Sequence, residues 1–154
     1  MTAIRPFTAP DAEAVAAMIF ALNEGEGYDP RLGPDAAALP AAYLGSNATG
    51  HCLVAEDTSG LIGCITLHTT YETTYASRGF YVADLFVLPA MRRRGTGRAL
   101  LAAGARLARA EGGGHLWWTA LPGNHAGQAF YRRLGAEAEA VIAFALSDAA
   151  FDRL

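Results

Sequence analysis

The chain has 154 residues, 52% of them hydrophobic, with 12 basic and 15 acidic side chains and a formal net charge of −3. That length fits one domain over residues 1–154 with a substantial core; no apolar run approaches the 18 residues of a membrane span, and the net acidity argues against a nucleic-acid partner. Every basic residue is arginine and lysine is absent, which excludes Schiff-base chemistry, kinase-type catalysis and the Walker phosphate loop, each of which needs a lysine.

The first residues, 1–11, lack the apolar core of a secretory signal, which points to the cytoplasm. Ile4-Arg5-Pro6 predicts a short strand. Pro10-Asp11 then opens a helix whose apolar positions Val15, Met18, Ile19 and Leu22 recur at helical spacing. Asn23-Glu24-Gly25-Glu26-Gly27 reads as an acidic loop after it, and Ala36 to Leu44 as a second helix. Cys52 to Glu56 and Leu61 to His68 form a hairpin around the turn Thr58-Ser59-Gly60. The two cysteines, Cys52 and Cys64, sit in these apolar runs and read as reduced core residues. Thr69 to Gly79 is polar with two tyrosines and reads as a long loop or lid.

Phe80 to Val87 is an apolar strand interrupted by one charge, Asp84, and stopped by Pro89. A glycine- and arginine-rich turn leads into a helix from Gly97 to Glu111, ended by three glycines. His115 to Ala120 is expected as a strand, with Trp117 and Trp118 on opposite faces. Asn124 opens a short helix through Leu134, ended by Gly135, and Val141 to Leu146 is expected as a last strand. This order predicts an α/β fold with a mixed sheet.

Charge is unevenly placed. Residues 1–91 hold ten acids against three arginines, and residues 92–154 hold nine arginines against five acids. Such asymmetry suits two ligands of opposite charge, or two solvated faces. The strongest local pattern is Leu85-Phe86-Val87-Leu88-Pro89 followed by Arg92-Arg93-Arg94-Gly95-Thr96-Gly97-Arg98. There a strand runs into a glycine turn that opens a helix. The first amides of a helix lack partners, and with the helix dipole they form an anion site suited to a pyrophosphate. Four arginines within seven residues add bidentate donors. A dinucleotide fingerprint would need glycine where Leu100 stands.

Arg92-x-x-Gly95-x-Gly97 after this strand end resembles the acyl-CoA pyrophosphate motif of the GCN5-related N-acetyltransferases (GNAT). Asn124-x-x-Gly127-x-x-Phe130-Tyr131 resembles the same family's asparagine–tyrosine helix. A narrower likeness is to the spermidine/spermine (diamine) acetyltransferase branch, through His51 to Glu56, Thr70-Tyr71, Ala83 to Val87 and Phe130 to Ala136. That branch carries Glu-Asp where this chain has Ala83-Asp84.

The resemblance implies a GNAT-like, mostly antiparallel central sheet flanked by helices. It also implies acetyl-CoA as co-substrate, a small amine or diamine as acceptor, and a homodimer. An alkyl amine with a pKa near 10 is only about one part in a thousand neutral at pH 7, equivalent to roughly 4 kcal/mol of barrier. Transfer therefore needs a proton acceptor, a donor for the departing thiolate and a hydrogen bond to the thioester oxygen. The resemblance makes Tyr131 the general acid. It gives Leu85, Phe86 and Val87 backbone contacts with pantetheine, Asn124 and Gly127 a place beside it, and residues 92–98 the phosphates.

Asp84 is expensive as an unpaired charge in an apolar strand, so it either salt-bridges an arginine or faces a cleft. The resemblance favours the cleft, as amine binder or water-relayed base. Glu24, Glu26 and Asp29 form an acidic cluster suited to a cationic amine, and Tyr71, Glu72 and Tyr75 either close over that amine or form a hairpin surface. His68 and His125 are further candidate bases, His51 and His115 read as structural, and no metal-ligand spacing joins the four. No cysteine lies in either motif, so a covalent acetyl-enzyme is not expected. A peptide, amino acid or aminoglycoside amine is the alternative acceptor, and a non-catalytic acyl-CoA sensor the alternative class.

Overall fold

The computed structural model describes residues 1–29 and 31–153. They divide into two units, Met1–Leu121 and Pro122–Leu154. No described helix is long and apolar enough to cross a membrane.

The first unit is built on a five-stranded sheet in the order β1 (Ala3–Pro6), β2 (His51–Asp57), β3 (Gly60–Glu72), β4 (Ser77–Val87) and β5 (His115–Trp117). The first four strands pair antiparallel and β5 joins β4 in parallel. This is the mixed, mostly antiparallel sheet expected. Alternation along β3 decides which helix each residue meets. Cys64 joins Cys52, Val54 and Phe86 under α1 (Ala12–Gly25) and Leu39 of α2 (Leu39–Tyr43). Ile65 and Leu67 instead meet Gly104 of α3 (Thr96–Ala110), on the opposite face. Val15 and Leu100, both fully buried, anchor the two layers, and a buried aliphatic side chain contributes about 1.5–3 kcal/mol.

Several sequence expectations shift. Thr69 to Gly79 is no lid: β3 runs to Glu72 and β4 starts at Ser77, leaving a turn over 73–76. Its threonines and tyrosines favour extended backbone, which outweighs their polarity. The acidic loop begins later than expected, because α1 continues through Gly25 and takes Asn23 and Glu24 into its last turn. Ala36 to Leu44 divides into a 3-10 turn over Ala36–Ala38 and the short α2. The strand β5 ends at Trp117, so Trp117 and Trp118 do not alternate across it and both are half-buried.

In the second unit α4 (His125–Arg133) and α5 (Asp148–Phe151) flank a stretch without regular structure. The strand expected over Val141–Leu146 does not form. A strand needs a ladder partner, and its own unit contains no other strand among the described residues. Val141, Ile142, Phe144 and Leu146 are all exposed.

The entry to α1 is clamped by charge. Asp11 accepts bidentate bonds from Arg5 at 2.7 and 2.9 Å, and Thr8 donates to it from both its backbone and its hydroxyl at 2.8 Å. The Arg5 guanidinium and these bonds hold the Asp11 carboxyl down at about 2, against the cost of its burial. A depressed carboxylate stabilises the fold above its unfolded pKa, and that contribution is lost as pH falls through the folded value. Asp11→Asn is therefore expected to cost about 2 kcal/mol at pH 7. In urea melts its deficit against wild type should shrink between about pH 4 and pH 2.

Candidate active site

The site grows from an irregularity between β3 and β4. Thr66 pairs with Asp84 and Leu67 with Val82, so Ala83 has no cross-strand partner. Such a bulge re-aims neighbouring side chains, a device common beside active sites. Asp84 turns onto Thr66, a fully buried residue. The Thr66 hydroxyl donates to the Asp84 carboxylate and accepts the Asp84 backbone N–H at 3.0 Å. One threonine therefore fixes both the strand and the rotamer of the acid on it.

No arginine reaches Asp84 among the ion pairs of the described residues. Burial raises its pKa, opposed by the Thr66 hydroxyl and by His68. Its charge spreads through the surrounding side chains. Glu26, just past α1, is raised first by burial and then by Asp84. Burial and the Asp84 charge push Tyr43, the last residue of α2, up to about 12, against a hydrogen bond with Thr66. Cys52 likewise reaches about 12, mainly through burial. Both acids are half-buried, and the charge of Asp84 works against that of Glu26. That arrangement is costly for the protein alone and favourable once a cation lies between them.

Of the expected substrate residues, Asp84 and Glu26 are both half-buried, and the Asp84 charge helps raise Glu26. Glu24 is exposed on the helix, and Tyr71 and Tyr75 are exposed beside the hairpin turn. Thr66 and Tyr43 were not anticipated. The available signal was Thr66 itself, a polar residue inside an apolar strand of the hairpin. His51 pairs with Glu111 at 2.9 Å and His115 bonds Ser77 at 2.9 Å. Among the described residues no three metal-ligating side chains gather.

On the other edge of β4, pairing with β5 reaches only from Gly79 to Tyr81. The stretch from Val82 to Val87, including Leu85 and Phe86, keeps a backbone edge with no strand beside it among the described residues. Beyond it Arg92 folds back, donating from Nε to Val87 O at 2.9 Å with its guanidinium over the Phe86 ring. Arg93 adopts a left-handed backbone (φ 62°) and Gly95 follows at φ 86°, which only glycine adopts without strain. These turns aim the start of α3 outward. The first helical bond runs from Ala99 N–H to Gly95 O, leaving the amides of Thr96, Gly97 and Arg98 ahead of it. The Thr96 hydroxyl is buried with no hydrogen-bond partner. Exposed Arg93, Arg94 and Arg98 surround this turn. Free amides, an orphaned hydroxyl and three cations suit the phosphates of a coenzyme A thioester, and the open β4 edge suits its amides.

In the second unit Asn124 caps α4, its side-chain oxygen accepting the Gly127 N–H at 2.9 Å. A methyl group at Gly127 would lie 2.7 Å from that side chain, so the Asn-x-x-Gly spacing has a structural cause of its own. Tyr131 is half-buried on α4 with its ring 5.3 Å from that of Phe130.

The profile of the acetyltransferase (GNAT) family matches residues 16–136. An L-ornithine N5-acetyltransferase of Arabidopsis thaliana is 33% identical over 75 residues, which are 49% of this chain and 33% of that protein. A thialysine N-epsilon-acetyltransferase of Mus musculus is 28% identical over 143 residues, 88% of this chain and 84% of that one. The structure of AAC(6')-Iy with the bisubstrate analogue CoA-S-monomethyl-acetylneamine superposes with a TM-score of 0.79 at 21% identity, covering 96% of this chain and 99% of that one.

Proposed function

The chain belongs to the acetyltransferase (GNAT) family, and from that membership we infer that it is a single N-acetyltransferase domain that moves an acetyl group from acetyl-CoA directly to a primary amine of a small, diamine-like molecule. What supports the choice of acceptor is Asp84, a half-buried carboxylate held by Thr66 with no arginine among the ion pairs of the described residues, with the half-buried acid Glu26 raised in part by its charge. An ammonium group relieves both. Asp84, held by Thr66, binds and orients the amine; Glu26 supplies the second negative charge.

Arg93, Arg94, Arg98 and the first amides of α3 hold the phosphates. The open edge at Leu85–Val87 lines the pantetheine arm. Tyr131 is the general acid that protonates the departing thiolate. The amine nitrogen forms its bond to the thioester carbon, the carbon–sulfur bond breaks, and no acetyl group rests on the protein. The active form is a cytoplasmic homodimer. Relatives named for ornithine and thialysine support a second reading, an amino acid whose side chain ends in an amine.

Release of free CoA measured across diamines, amino acids, aminoglycosides and peptides tests the proposal. Turnover fastest on diamines supports it. Turnover fastest on ornithine supports the second reading, and tight acetyl-CoA binding with no turnover on any amine means a sensor. Arg94→Gln and Arg98→Gln should each raise the KM for acetyl-CoA about tenfold, the scale of one charged hydrogen bond, with kcat unchanged. Added salt should narrow the gap to wild type.

A further inference from the structure

Ala83 stands where a glutamate would have offered a nearby base, and its methyl group accepts no proton. The register brings another candidate alongside. His68 lies two residues beyond Thr66 on β3, so it shares the face on which Thr66 meets Asp84. Its cross-strand partner is Tyr81, and the unpaired Ala83 falls between Tyr81 and Asp84 along β4. His68 is therefore the imidazole flanking the bulge.

The ring is held on three sides. His68 Nδ1 lies 3.3 Å from Thr49 O. A carbonyl only accepts, so in the neutral form of the ring Nδ1 carries the hydrogen and Nε2 the lone pair. Tyr43 stands against it with ring centroids 6.0 Å apart. Gly50 lies on the third side, where a Cβ would strike the Leu67 carbonyl first and Nδ1 next. The other titratable groups on this face are Asp84 and Tyr81 of β4, Tyr43 of α2, Glu26 after α1, and the thiols Cys52 and Cys64.

We propose that His68 is the proton acceptor for the attacking amine, Nε2 taking the ammonium proton while Asp84 holds the nitrogen. The inference rests on the reading of the chain as an amine acetyltransferase. The N–H bond of the ammonium breaks to leave its electron pair on nitrogen, and the proton passes through His68 to water. The freed pair forms the carbon–nitrogen bond. As the carbon–sulfur bond breaks, the thiolate takes the Tyr131 proton, and the second amine proton restores Tyr131. The balance is one ammonium and one thioester consumed, with one amide, one thiol and one proton formed.

The test compares the full chain and His68→Gln on two matched acceptors at pH 7, 1,3-diaminopropane and its 2,2-difluoro analogue, whose weakly basic amines need little help to lose a proton. Loss of a general base should lower kcat/KM for 1,3-diaminopropane by about 10²-fold or more and leave the difluoro amine nearly unchanged. The deficit on 1,3-diaminopropane should also shrink as pH rises and the free amine fraction grows. Preserved turnover of the difluoro amine certifies a folded variant. An equal loss on both amines, no loss on 1,3-diaminopropane, or a wild type that does not use the difluoro amine overturns the assignment. Release of CoA by wild type on either amine upholds the acetyltransferase reading whatever the variant does; a wild type inert on both removes the two together.

Discussion

Tyr131→Phe is expected to lower kcat by about 10²-fold with little change in either KM. The size follows from the leaving group. A thiol of ordinary pKa near 8.5 lies about 1.5 units above neutrality, so expelling it unprotonated at pH 7 costs roughly 2 kcal/mol. The lost hydrogen bond to sulfur in the transition state adds to that figure. Above pH 8.5 the thiolate leaves unaided, so the ratio of wild type to variant should narrow as pH rises. Steady-state rates between pH 6.5 and 9.5 measure it. A variant as fast as wild type at every pH would remove Tyr131 from the reaction.

Asp84→Asn should move activity and stability in opposite directions. Losing the charged contact to the ammonium should cut kcat/KM for a diamine about 10- to 100-fold, most of it in KM. The fold should meanwhile become more stable at neutral pH. Burial raises the Asp84 pKa above its ordinary 3.8, so the native state carries a cost for the ionised form that grows as pH rises from the ordinary value and is complete above the folded one. Asparagine keeps an acceptor for the Thr66 hydroxyl and carries no such cost. The variant's Tm should exceed that of wild type at pH 7, and the two should converge below pH 4. A variant less stable than wild type at pH 7 would mean that Asp84 has a cationic partner of its own.

Much of this was legible locally. The strand end at Val87, the proline after it and the glycine–arginine turn lie within one short window, and the helix begins at Thr96, one residue from its expected start. Asp84 announced itself as a charge inside an apolar strand. Its surroundings did not. The bulge at Ala83 is a property of how two strands register, and no residue beside it encodes the slip. Thr66 and Tyr43 become partners of Asp84 only once that register and the position of α2 exist. The influence of Asp84 on Glu26 links a residue just past one helix to a strand far along the chain. Val141 to Leu146 failed for the converse reason: apolar, β-branched residues state a preference for extended backbone, and a strand also requires a neighbour.

Direct transfer to a small amine is most plainly tested by incubating the wild-type chain with acetyl-CoA and 1,4-diaminobutane and quantifying all products by mass spectrometry. Mono-acetylated diamine and free CoA in equal amounts, with no acetyl group on the protein, is the result expected. Free CoA without acetylated amine, or acetyl retained on the chain, would contradict it.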